Sequence, residues 1–244
     1  MIKFKILFLE QLLTLRSSLP FLIFMQTVVP VSFVFAMGHY AGFRSDNQQL
    51  LHIISGSITF SLIFLGLSSL AAKISFMRQQ GTLLHYISLP INKFTFIAAL
   101  LSARLVLLLP GIIAPVIAGM LMYGLDFQLS LWLLTVMALG IFTLAVAGVA
   151  LGAYIKSYEL VSVVTGCLIF IMSLVAPTFM PPSVLPLPLQ LLGWLLPSTY
   201  ISNALNRSLT GSYEATFYLD VLVLGLMAGV ALLVTKFFLV WRAD

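Results

Sequence analysis

Residues 73–93 read KISFMRQQGTLLHYISLPINK. The stretch is too polar to cross a bilayer, yet Phe76, Leu83, Leu84 and Ile87 make it too apolar for a flexible linker. Apolar runs flank it at 50–72 and 96–123. Each is long enough to supply the roughly 20 residues that a helix needs to cross about 30 Å of hydrocarbon. The spacing predicts a connection between two membrane spans: a short helix over 76–86, broken near Gly81 and stopped by Pro90 before the next span. Two readings of its exposed face stay open. It docks in a groove of a partner, or it anchors the two spans at the membrane interface.

Further apolar runs lie at 19–40, 129–154, 160–180 and 215–240. The expectation is an all-α membrane protein of six transmembrane helices in one domain, residues 1–244. Composition supports this, because 8% charged and 61% hydrophobic residues exclude a soluble domain, where about 25% are charged. Residues 1–18 carry Lys3, Lys5, Glu10 and Arg16 with no small-residue cleavage site, unlike a signal peptide. Lys3, Glu10, Gln11, Thr14 and Ser17 share one helical stripe, predicting an interfacial helix; a simple cytoplasmic lead-in is the alternative.

Basic residues concentrate on the cytoplasmic side of membrane proteins. With both termini inside, Lys3, Lys5, Arg16, Lys73, Arg78, Lys93, Arg104, Lys156, Lys236 and Arg242 fall there, and only Arg44 and Arg207 fall outside. Arg104 lies within the third run and is expected to snorkel to the headgroups, with pairing to another protein group as the alternative. Pro110, Gly111, Pro115 and Gly119 predict a kink or a break in that span.

On the external side, residues 176–207 read APTFMPPSVLPLPLQLLGWLLPSTYISNALNR. Pro177, Pro181, Pro182, Pro186, Pro188 and Pro197 forbid a regular continuation of span 5, while 185–196 stays apolar. That combination predicts a re-entrant hairpin in the outer leaflet. Ser198 is the expected N-cap of its second helix, and Trp194, Tyr200 and Tyr213 suit an interfacial level.

The charges exclude several functions. Asp46, Asp126, Glu159, Glu214 and Asp220 lie in loops or near span ends, with Asp220 the deepest, so no carboxylate is placed for ion coupling. His39, His52 and His85 lie at span edges or in the connection, no HExxH stands ready for a metal, and Ser55-Gly56-Ser57 lacks a nucleophile elbow. GAYIKS at 152–157 lacks the glycine spacing of a phosphate loop. Cys167 is the only cysteine and forms no intrachain disulfide. No basic cluster interleaved with aromatics points to nucleic acid.

Two stretches carry a family likeness: Arg78-Gln79-Gln80-Gly81-Thr82-Leu83 followed by Leu89-Pro90-Ile91, and Pro181 through Pro197-Ser198-Thr199-Tyr200. Together they resemble the ABC-2 type permeases, the type V membrane subunits of ABC exporters for drugs, lipids and lipid-linked glycans. The resemblance implies a multi-pass bacterial plasma (inner) membrane protein, without ATPase activity of its own, that moves a hydrophobic or amphiphilic compound outward. Its partners would be two copies of a separate ABC ATP-binding subunit, which hold ATP and Mg, a second copy of this chain or a related one, and membrane lipids. It also implies that Phe76, Arg78, Gln79, Gln80, Gly81, Thr82, Leu83 and His85 couple to the ATPase, and that Pro181, Pro182, Trp194, Pro197 and Tyr200 form an external gate. The family often has acids where this chain has Gln80 and Leu84, which leaves Arg78 and His85 to supply that contact.

Spans 2 and 5 line the inter-subunit cavity in such exporters. Here Ser57, Ser61 and Ser68 share one face of span 2 with Phe64 nearby, and span 5 offers Ser162, Thr165 and Phe170. These are substrate-path candidates or small residues that let helices pack. A secondary carrier, or a non-transporting scaffold or immunity protein, is the competing class.

Overall fold

In the computed structural model the apolar runs are helices, the one open-ended structure whose backbone satisfies itself in hydrocarbon. The structure describes residues 2–16, 19–40, 47–82, 86, 93–128, 130–174 and 186–238. A leading helix, α1 (Ile2–Leu15), precedes α2 (Leu19–Tyr40), α3 (Asn47–Gln79), α4 (Lys93–Tyr123) and α5 (Leu131–Tyr154). Then follow α6 (Tyr158–Leu174), α7 (Leu187–Gly193), α8 (Pro197–Thr210) and α9 (Ala215–Phe238). Among the described residues, α2, α3, α4, α5 and α9 are the 5 helices long and apolar enough to cross a membrane. Apolar α6 has 17 residues; the rest of the predicted fifth span lies outside the described residues.

The core forms around α3, which packs against α2, α4, α5, α6 and α8. Its apolar stretch is 78% buried, against 17% in the more apolar α9; in a bilayer purely apolar faces meet lipid, and small hydroxyl residues such as Ser55, Ser57, Thr59 and Ser61 go to the helix contacts. Buried Ser57 and Thr59 satisfy their hydroxyls on their own helix, donating to the carbonyls of Ile53 and Ser55 at 2.8 Å each. Close approach to α5 depends on glycine: a Cβ at Gly148 would stand 2.5 Å from the Leu67 carbonyl oxygen.

Span 2 does not end where its apolar run does. It continues through Lys73 to Gln79 because Leu70, Ile74 and Met77, at helical spacing, pack against Phe96, Leu100 and Val149. The predicted connecting helix is thus, up to Gln79, the tail of α3. Within α3, Phe64–Ser68 widens into a π-turn, a feature common where helices carry function. α4 runs through Pro110 and Pro115 as one helix, so the interruption that the prolines predict is confined to its hydrogen bonding. Pro115 has no N–H to give the Gly111 carbonyl four residues earlier. Ser61 Oγ shares its proton between that oxygen, at 3.4 Å, and the Ser57 carbonyl of its own helix, at 3.3 Å.

Arg104 also departs from expectation. It is 3% exposed, because its face of α4 also carries Ala103, Leu107 and Leu108 and is covered by protein. It lies within electrostatic range of Lys73, and among the described residues its Nη1 has no hydrogen-bond partner. On α1, which packs on α4, Leu7 and Gln11 are buried while Ile6, Leu9 and Leu13 are exposed. An outward apolar face suits a helix lying against lipid.

Candidate functional site

Polar side chains collect at the two ends of the bundle. At one end, α3 projects a tip. Met77 is its last buried residue, and Phe76 and 78–82 are exposed. Gly81 adopts φ +72° with nothing within 4 Å of where a Cβ would stand, so glycine serves the backbone turn and not a tight fit. Its N–H bonds the Arg78 carbonyl at 3.2 Å, and Thr82 Oγ1 donates to the Met77 carbonyl at 3.0 Å. Arg78 Nη1 donates to the Ala153 carbonyl, in the last turn of α5, where helix carbonyls lack partners. Phe76 meets Tyr158 edge-on, with centroids 6.0 Å apart. Leu83, Leu84 and His85 lie outside the described residues, as do 87–92 with Pro90. Tyr86 donates to the Glu10 carboxylate and packs on Phe96; burial, then Glu10, raise its phenol above the usual range.

The substrate-path candidates divide. Ser57 and Ser61 are fully buried within the protomer, where Ser61 seats α4. Buried Thr165 accepts from Ser68 Oγ at 3.3 Å, tying α3 to α6. Phe64 is half-buried. Ser162 and Phe170 point out from α6, Phe170 being 65% exposed.

At the opposite end, α7 and α8 form a corner. Thr199 Oγ1 donates to the Gly193 carbonyl at 2.6 Å and Tyr200 Oη to the Trp194 carbonyl at 2.7 Å. Pro197 opens α8 after an extended Leu196, as proline at the first helical position does. Ser198 is therefore inside the helix and not its N-cap; it is buried and donates to the Met172 carbonyl at 3.5 Å. Burial, then Asp220, raise the Tyr200 phenol. Pro181 and Pro182 lie outside the described residues.

Behind this corner lies a cavity of about 1060 Å³, bounded by α7, α8 and the first turns of α3 and α9. Arg207 and Asp220 form an ion pair on its wall. Sequence reading missed this pair, since its members are on different helices; the signal was an unexplained carboxylate just inside the last span. Among the described residues no group of three or more His, Cys, Asp or Glu is placed to hold a metal ion.

The family model for the ABC-2 type transporter matches residues 3–209, from α1 to the last turn of α8. No individual curated protein matches the chain. A match that takes in most of the chain, including both the α3 tip and the α7–α8 corner, makes this protein a member of the ABC-2 type transporter family.

Proposed function

We propose that the chain is the permease subunit of an ATP-driven exporter. The observation that carries this reading is a rod buried along most of its length that ends in an exposed, polar, glycine-capped tip. Such a rod turns a push at its tip into movement of the core it runs through. The tip, Phe76 to Thr82 with Leu83 and His85 beyond, docks on a separate ABC ATP-binding subunit. Two copies of that subunit, which hold ATP and Mg, face two permease chains, the second being this one or a relative. Both termini, and the tip, lie on the cytoplasmic side of what we take to be a bacterial plasma membrane, an orientation that the distribution of basic residues supports.

Movement of α3 reaches α6 through the Ser68–Thr165 bond and starts beside the π-turn, where the helix backbone is least regular. The outward face of α6, with Ser162 and Phe170, lines the path of a hydrophobic or amphiphilic cargo between the two chains. Ser57 and Ser61 act by seating neighbouring helices. The hairpin of α7 and α8, with Trp194, Pro197 and Tyr200, gates the outer side. Six spans cross the membrane in this reading, with α6 standing for the fifth and α9 for the sixth.

Purification of the chain from its native membrane tests this. We expect an ABC ATPase to be retained, and Gly81→Ala to lower chain-dependent ATP turnover while the protein stays folded, because the left-handed strain of roughly 1–2 kcal/mol falls on an exposed turn that nothing crowds. Transport driven by an ion gradient with no ATPase retained overturns it.

A further inference from the structure

We propose that the cavity between α3, α7, α8 and α9 binds a neutral polyhydroxylated group, a sugar or polyol such as a glycolipid headgroup. The proposal rests on the permease reading only for which side of the membrane the cavity faces.

Begin with α8. Tyr200, Asn203, Asn206, Arg207 and Thr210 recur at helical spacing and line the cavity, while Ile201, Ala204, Leu205 and Leu209 on the opposite face are fully buried. A helix with this pattern ordinarily turns its polar face to bulk water. Here Asn203 and Asn206 are instead half-buried, facing walls that add Asn47, Gln48 and Gln190. The amides of Asn203 and Asn206 each bring a carbonyl acceptor and an NH₂ donor to this space. A hydroxyl group, donor and acceptor at once, matches such a lining.

Charge selects against ions. Arg207 is paired with Asp220, and Glu214 stands exposed at the rim. An anion would have to displace Asp220 and face Glu214; a cation would have to displace Arg207. Breaking a part-buried pair costs more than breaking one in open water, whereas a neutral ligand hydrogen-bonds beside it.

Shape and surface agree. Trp194 and Tyr200 supply flat aromatic walls, and Leu51, Leu219 and Val223 an apolar floor, which suit the C–H faces of a pyranose ring as its rim meets the amides. Hydrogen bonds of Tyr200 and Thr199 to the α7 end hold that corner in place. The volume, about 1060 Å³, is at the top of the roughly 300–1,000 Å³ range of small-molecule sites and admits more than one ring.

The test uses the full chain in phosphatidylcholine nanodiscs free of glycosidic detergent. Saturation-transfer NMR is read on methyl β-D-glucopyranoside and choline, with inorganic phosphate as competitor. We expect transfer to the glucoside ring protons, none to choline and no displacement by phosphate. Replacing Asn203→Leu and Asn206→Leu together lowers glucoside affinity roughly tenfold or more, as expected for two lost hydrogen bonds. Because that pair could disturb α8, Asn206→Cys in a Cys167→Ser background gives a second measurement: the glucoside slows labelling by a water-soluble maleimide. Nanodiscs carrying a monohexosyl diacylglycerol are compared with diacylglycerol controls. Protection by the glycolipid alone assigns the site to a membrane headgroup, and protection by the soluble glucoside assigns it to a sugar arriving from cargo or solution; either supports the proposal. Stronger protection by phosphate or choline, or none from glucoside or glycolipid, overturns it. The binding needs no ATPase, so its failure leaves the permease assignment standing, and loss of that assignment leaves this result intact.

Discussion

The two ends of the bundle hold similar polar residues in opposite curvature. Phe76 and residues 78–82 are exposed on a convex tip whose glycine turns in free space. Asn203, Asn206, Arg207 and Thr210 instead line a concave wall, with a part-buried ion pair on it. A convex polar surface offers itself to another macromolecule; a concave one surrounds a small group. Burial decides what each residue is worth, so one amino-acid type should behave differently at the two ends.

The arginines make the largest contrast. Arg207→Ala leaves Asp220 partly buried and unpaired, and we expect a loss of roughly 1–2 kcal/mol, between the values for exposed and for fully buried pairs. Asp220→Asn added to it should restore much of that stability in thermal unfolding. Arg78→Ala removes an exposed side chain from a helix-end carbonyl and should cost under about 1 kcal/mol. Its effect should appear in ATP turnover of the assembled transporter instead. Equal losses of stability would erase the distinction between the ends.

Two glycines give a smaller contrast. Gly81 and Gly211 share φ +72°, so alanine carries the left-handed backbone penalty of about 1 kcal/mol at either. At Gly211 a Cβ also meets the far end of the exposed Gln128 side chain, which has to swing aside, so Gly211→Ala should cost only slightly more than Gly81→Ala. Matching unfolding midpoints for the two would show that the corner near α8 yields as easily as the tip.

The smallest effect concerns pH. The folded chain holds the Tyr86 phenolic proton more tightly than an unfolded chain does, through burial and then Glu10. That contribution is complete below about pH 10, the ordinary phenol value, and is lost as pH rises above it through the folded value. Tyr86→Phe should therefore lessen the alkaline loss of stability, and an unchanged pH profile would detach Tyr86 from the packing of the tip.

Helices α2, α4, α5 and α9 were legible because each is a run of apolar residues long enough to span. The tail of α3 was not, since Lys73 and Arg78 hid the Leu70, Ile74, Met77 spacing that keeps it helical against Phe96 and Val149. Arg104 misled because a long basic chain near a span end usually reaches water, and only the packing of α1 and α3 on α4 encloses it. The tip motif was readable as local sequence. The cavity was not, because its walls come from four helices whose meeting depends on tertiary contacts.

The Ser61–Gly111 bond makes two distant positions answer for each other. The Gly111 carbonyl needs a side-chain donor only because residue 115 is a proline. Substitution of Ser61 is thus harmful while Pro115 remains and mild once it is gone, so the order in which a lineage changes them matters. Losing the proline first keeps every intermediate satisfied; losing the serine first passes through a chain with an unanswered carbonyl in the middle of the membrane.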